Sequence, residues 1–112
     1  MSPEATVRRY FSALEAADVD TALEQIAPAA RDAQTRFIEN GAGNKYRVVG
    51  IAVRTPSLLD RFRGAPSTPE DITVFVSVTE VVSGDEWQAT PRVPLVQEND
   101  RWYLARAPLA PV

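Results

Sequence analysis

At Asn44 the chain changes period. Before it, apolar residues recur at helical spacing; after it, they alternate one in and one out, and the junction is the tripeptide Gly41-Ala42-Gly43. A chain built this way has few means of burying both halves: the helices must lie against one face of an antiparallel sheet, an α+β arrangement. With 112 residues there is material for one core, so residues 1–112 are read as a single domain.

The helical part has three pieces. Ser2-Pro3 offers a cap followed by proline at the first helical position, and Val7, Tyr10, Phe11 and Leu14 follow at i, i+3, i+4, i+7, which predicts a helix from Pro3 to Ala17. Asp18 caps a second helix with the stripe Ala22, Leu23 and Ile26, ended by Pro28. A third runs from Ala29 to Asn40, with Ala30, Ala33, Phe37 and Ile38 on one side, and stops at the glycine pair.

The strands follow from period two. Tyr46 to Arg54 is the first; Thr55 to Asp71, with three prolines and a glycine, is loop with one helical turn at Leu58 to Phe62. Ile72 to Val82, Trp87 to Gln97 and Arg101 to Ala107 are the others, joined by turns at Ser83-Gly84-Asp85 and Asn99-Asp100. If both turns are two-residue loops, Leu95 faces Leu104 and Gln97 faces Trp102 in one hairpin, and Val82 faces Trp87 and Val76 faces Val93 in the other. Both registers then agree on one apolar face: Ile72, Val74, Val76, Val78, Val82, Trp87, Ala89, Pro91, Val93, Leu95, Trp102 and Leu104. Pro91 and Pro94 donate no ladder bonds and imply a bulge or bend in the third strand.

Composition removes several kinds of chemistry. Without cysteine or histidine there is no disulfide, thiolate site, imidazole base or histidine ligand. A net charge of −3 without a dense basic run argues against nucleic acid as a partner. Eleven of the twelve basic residues are arginine, read as the codon bias of a GC-rich bacterial genome. No apolar run reaches the roughly 18 residues of a membrane span. Asp18 and Asp20 have a metal-like spacing, but no glycine-bearing loop follows and helix capping accounts for them, so neither metal nor cofactor is expected.

The stretch V-R-R-Y-F-S-A-L-E-A-A-D-V-D-T-A-L-E-Q-I-A, Val7 to Ala27, resembles the opening of the nuclear transport factor 2-like superfamily. The end, V-P-L-V-Q-E-N-D-R-W-Y-L, Val93 to Leu104, is similar to that superfamily's last hairpin. The resemblance implies a cone: helices packed in the concave face of a curved sheet of about four strands. It also implies a cavity in which enzyme members (ketosteroid isomerases, dehydratases, SnoaL-type polyketide cyclases, epoxide hydrolases) do acid–base chemistry. This chain lacks a clear short hairpin between its second and third helices, and in that it is more similar to small bacterial domains of lipoproteins and membrane-attached proteins.

In such a cone a ligand would meet Tyr10, Leu14 and Phe37 from the helices and Glu80, Trp87, Trp102 and Arg106 from the sheet. The inferred inner face carries two ionisable groups, Glu80 and Arg106, which Arg54 joins in one register of the first strand. Glu80 and Arg106 lie about 16 Å apart by ordinary sheet spacings, too far to work as a pair. The plain readings are a solvated strand end for Glu80, contact with water or a helix terminus for Arg106, and packed aromatic cores for Tyr10, Trp87 and Trp102. The expected function is therefore a non-enzymatic accessory or sensing domain that binds a small apolar ligand or a partner protein. The alternatives are a small-molecule isomerase, cyclase or hydrolase, and a structural dimerisation module. Phe75 beside Pro94 and Ala105, with Val96 beside Tyr103, would form an apolar strip on the outer face and so a homodimer surface. The expected location is the cytoplasm or the soluble part of an extracytoplasmic lipoprotein or membrane-attached protein.

Overall fold

The computed structural model describes residues 2–55, 59, 62–64 and 69–109. Helix α1, Pro3–Glu15, is opened by Ser2, whose Oγ accepts from Ala5 N at 3.2 Å. Its stripe of Pro3, Thr6, Val7, Tyr10, Phe11 and Leu14 is buried, one face of a 3.6-residue period. Ala17, in left-handed conformation at φ 57°, ends it. Asp18 then caps α2, Val19–Glu24, by accepting from Thr21 N at 3.2 Å. A single 3-10 turn, Pro28–Ala30, leads into α3, Arg31–Gly41.

Five strands follow: β1 Lys45–Arg54, β2 Asp71–Thr79, β3 Glu86–Ala89, β4 Arg92–Glu98 and β5 Arg101–Leu104. They form one curled antiparallel sheet, a half-barrel in the order β1-β2-β4-β5, with β3 also paired to β2. The fold is thus α+β, with three helices on a curved sheet. Val7, Tyr10, Phe11 and Leu14 of α1 meet Ile26, Ile38, Ile72, Val74, Val76, Val78, Val93 and Leu104 in a single core.

The last hairpin has the expected register, Leu95 opposite Leu104 and Gln97 opposite Trp102. Asn99 and Asp100 turn it at φ 51° and 62°, the left-handed pair that a two-residue hairpin loop needs. The other hairpin differs. Val78, not Val82, lies opposite Trp87, and Ile72 lies opposite Val93, a slip of four residues from the expected pairing. The cause is a longer turn: β2 stops at Thr79, Glu80 N donates to Asp85 O at 2.8 Å, and Gly84 N donates to Glu80 O at 2.8 Å. Because four is even, the face survives while the partners change. Val82 leaves the core altogether and is fully exposed at the turn, and Trp87 is 40% exposed. The third expected strand is broken between Ala89 and Arg92, next to Pro91. The helical turn expected at Leu58 to Phe62 falls largely outside the described residues; Leu59 and Phe62 are helical, and Arg63 N donates to Leu59 O at 3.3 Å.

Both long edges of the sheet are managed. Beyond β5, Leu104 N donates to Gln25 O and Ala27 N donates to Leu104 O, each at 2.8 Å, so the segment after α2 closes that edge. On β1 the register shifts between Val48 and Gly50, and Lys45, Arg47 and Arg54 line the strand; a bulge and charges discourage further pairing.

Candidate functional site

One end of the molecule gathers the ends of several elements. The last turn of α1 brings Leu14, the last turn of α3 brings Phe37, Asn40 and Gly41, the start of β1 brings Asn44 and Tyr46, and Glu80 follows β2 directly. With Trp87 of β3 and Leu109 from the segment after β5, they line a cavity of about 220 Å³ at this end of the half-barrel, the mouth cavity.

Short-range chemistry fixes this arrangement. Gly43, at φ 91°, donates its N–H to Leu14 O at 2.9 Å and ties the end of α3 to the end of α1. Tyr46 Oη donates to Gly41 O at 2.6 Å, and a Cβ on Gly41 would stand 3.0 Å from that oxygen, so glycine permits the close approach. Asn44 Oδ1 accepts from Val81 N at 3.2 Å and ties the long turn after β2 to the start of β1. Glu15 accepts from Tyr46 N at 3.0 Å.

The electrostatics of the cavity are one-sided. Glu80 is half-buried, with one carboxylate oxygen accepting from Ser83 Oγ at 3.0 Å. Burial raises the Tyr46 hydroxyl above its ordinary pKa; the Asn44 side chain opposes this and the Glu80 charge adds to it. Tyr10 is pushed up further, first by burial and then by Tyr46. Among the described residues its hydroxyl has no hydrogen-bond partner, and its ring stands edge-on to Phe11 at 5.2 Å. Both phenols therefore stay protonated at neutral pH.

Of the seven residues proposed from the sequence to meet a ligand, Leu14, Phe37, Glu80 and Trp87 line this cavity. Tyr10 is in the core, 1% exposed, and is not among the lining residues. Trp102 is half-buried on β5, where its carbonyl accepts from Thr6 Oγ1 at 3.2 Å. Arg106 is held elsewhere, donating to Arg92 O at 2.9 Å, so it shares no site with Glu80. The sequence reading missed Asn40, Gly41, Asn44, Tyr46 and Leu109; Tyr46, at the first alternating position after the glycines, was the one with a signal.

The outer apolar strip does not form. With the register moved by four, Phe75 lies opposite Gly50 while Pro94 lies opposite Asp71, so Phe75 is separated from Pro94 and Ala105. Phe75 and Val49 are left as a small patch, 44% and 66% exposed. Val96 does lie opposite Tyr103, but Tyr103 is covered by the guanidinium groups of Arg101 and Arg31, 4.9 and 5.8 Å from its ring centre.

A second cluster, unforeseen from the sequence, sits at the far end of the sheet. Asp71 Oδ2 accepts from Arg54 Nε at 2.9 Å and from Arg92 Nε and Nη2 at 3.0 and 2.8 Å, and it ion-pairs with Arg54 Nη2 at 2.8 Å, while Arg54 also pairs with Glu70. Arg54 therefore belongs to the outer face, not the inner one. Burial alone would raise the Asp71 carboxyl, but the hydrogen bonds and charges of Arg92 and Arg54 outweigh it and hold the group below the ordinary aspartate range. Asp71 pins the ends of β1, β2 and β4 together. Among the described residues no group of three or more acidic residues is placed to hold a metal ion, and no helix is long and apolar enough to cross a membrane.

No protein-family model and no curated protein matches the sequence. Among solved structures, the chain is similar to the solution structure of RPA3114, a SEC-C motif containing protein from Rhodopseudomonas palustris. The TM-score is 0.61 at 21% identity, covering 94% of this chain and 76% of that one. At that identity the likeness concerns the fold, which the two proteins share over nearly all of this chain.

Proposed function

We propose that the chain is a non-enzymatic binding domain of the nuclear transport factor 2-like kind, and that the mouth of its cone takes a small ligand with an apolar body. The observation that carries this reading is the convergence of Leu14, Phe37, Tyr46, Trp87 and Leu109 on one cavity of about 220 Å³. An apolar cavity of about 150 Å³ is enough to bind benzene, so this one suits a body of one or two rings. The polar groups of the lining, Glu80 and the two asparagines, are few and stand at the rim-forming element ends, a pattern that orients a ligand without reacting with it.

The test is a titration of the uniformly nitrogen-15-labelled chain with cyclohexanol. Saturable shifts of the Trp87 indole N–H and of the Gly41 and Asn44 amides, with the Trp102 indole unmoved, support the reading. Leu14→Trp, which fills the cavity, should weaken them. A spectrum unchanged up to the solubility of cyclohexanol rejects a ligand site at the mouth.

A further inference from the structure

The lining of the mouth cavity combines three aromatic side chains, Phe37, Tyr46 and Trp87, with one carboxylate, Glu80, and among the described residues it contains no lysine or arginine. The rings are not used on one another. Among the described residues the ring–ring contacts are Tyr10 with Phe11 and Phe11 with Tyr46, so no contact joins Phe37, Tyr46 and Trp87. Among the described residues no internal cation occupies them either: the guanidinium groups that stack on a ring do so at Tyr103, on β5.

We propose that the mouth cavity recognises a bulky organic ammonium ion, one whose nitrogen carries methyl or other alkyl groups. This rests on the reading that the cavity is a ligand site, and it names the ligand's chemistry. The face of an aromatic ring is electron-rich and attracts a cation, most strongly for Trp and Tyr, and the attraction grows as water is excluded. Three aromatic side chains line this one cavity, and Glu80 supplies the full negative charge that balances the ion. One Glu80 oxygen accepts from Ser83 Oγ at 3.0 Å, and the other has no protein donor among the described residues. The field of that carboxylate reaches the lining, since it raises the Tyr46 hydroxyl.

Size and hydration select among cations. A metal ion would need several free oxygen ligands, whereas this lining offers one carboxylate, and its Gly41 O and Asn44 Oδ1 already accept hydrogen bonds. A bare ammonium is strongly hydrated and would keep its water. An alkylated ammonium carries its charge on an apolar surface, so entering an apolar cavity strips little water from it. A trimethylammonium head is comparable in volume to the benzene that about 150 Å³ accepts, and 220 Å³ leaves room for a short tail toward Trp87, which is 40% exposed.

The experiment compares choline with 3,3-dimethyl-1-butanol, its neutral isostere with carbon in place of nitrogen, at constant ionic strength. Binding is read at the Trp87 indole N–H, with the Trp102 indole as internal reference. The expected result is saturable binding of choline at least about tenfold tighter than the isostere, the scale of a partly desolvated cation–π contact aided by one charge. In Glu80→Gln the ratio of choline affinity to isostere affinity should fall several-fold. Equal binding of the two compounds, or tighter binding of the isostere, overturns the ammonium assignment and leaves the cavity standing as an apolar site. Absence of binding by either overturns both. If Glu80→Gln fails to fold, as judged by its amide spectrum, the ratio of the two affinities in the unmodified chain decides alone.

Discussion

Replacing Asp71 by Asn tests the pin at the far end of the sheet with almost no change of shape. One oxygen of the aspartate accepts three hydrogen bonds from Arg54 and Arg92, on β1 and β4, and ion-pairs with both, while its own backbone belongs to β2. Asn keeps an acceptor but loses the charge. A hydrogen bond to a charged group contributes about 1.5–3 kcal/mol, and an exposed ion pair about 0.2–1 kcal/mol. The carboxylate is 9% exposed but the two arginine side chains are 57% and 58% exposed, so solvent screens the cationic side and the cluster falls between these limits. The expected loss is about 2 kcal/mol, a large share of the roughly 5–15 kcal/mol available to a domain of this kind.

The pH dependence separates this mechanism from a mere packing defect. The folded-state carboxyl is held below its unfolded value, so its contribution is complete above about pH 4 and is lost as the pH falls through the lower, folded-state value. The assay is urea denaturation of the unmodified chain and Asp71→Asn at neutral pH and at successively lower pH. The two curves should lie about 2 kcal/mol apart at neutral pH and converge in acid, where a protonated aspartate and an asparagine are near equals. A gap under about 0.5 kcal/mol at neutral pH, or one that does not narrow in acid, refutes the argument.

Three further outcomes are expected. Leu104→Ala, at a fully buried position where β5 meets Gln25 to Ala27, should cost about 3 kcal/mol by cavity formation, measured by denaturant unfolding. Ser77→Ala should cost about 1 kcal/mol, because Ser77 is 4% exposed and its hydroxyl donates to Glu86 at 3.0 Å; a solvated outer-face serine would be neutral. Asp100→Gly should raise the thermal midpoint slightly, since glycine adopts φ 62° without the steric cost borne by aspartate.

What could be read from the sequence divides along lines of interaction range. The caps at Ser2 and Asp18 and the stripe Val7, Tyr10, Phe11 and Leu14 are local, and the helices followed from them. The Asn99-Asp100 turn fixed its hairpin because a two-residue loop leaves no freedom in register. Glu80 to Asp85 did have that freedom: Gly84-Asp85 carries the chemistry of a tight turn, yet the chain closes a longer loop through Glu80. The parity of the slip kept Ile72, Val74, Val76 and Val78 inward, so the core was legible while its partners were not. Features that depend on the partners were lost with them. Asp71, Arg54 and Arg92 meet only in the observed register, and the strip joining Phe75 to Pro94 exists only in the expected one. Leu14, Phe37, Glu80 and Trp87 were legible because each faces inward near an element end; Asn44 and Leu109 act from connecting segments with no periodic signal.

A ligand of this protein should sit in the mouth cavity. Intermolecular nuclear Overhauser effects from cyclohexanol measure this directly. The protons of the bound compound should show contacts to the methyl groups of Leu14 and Leu109 and to the Trp87 ring, which line one cavity from three separate parts of the chain. Contacts confined to Val49 and Phe75, on the outer face of the sheet, would contradict it.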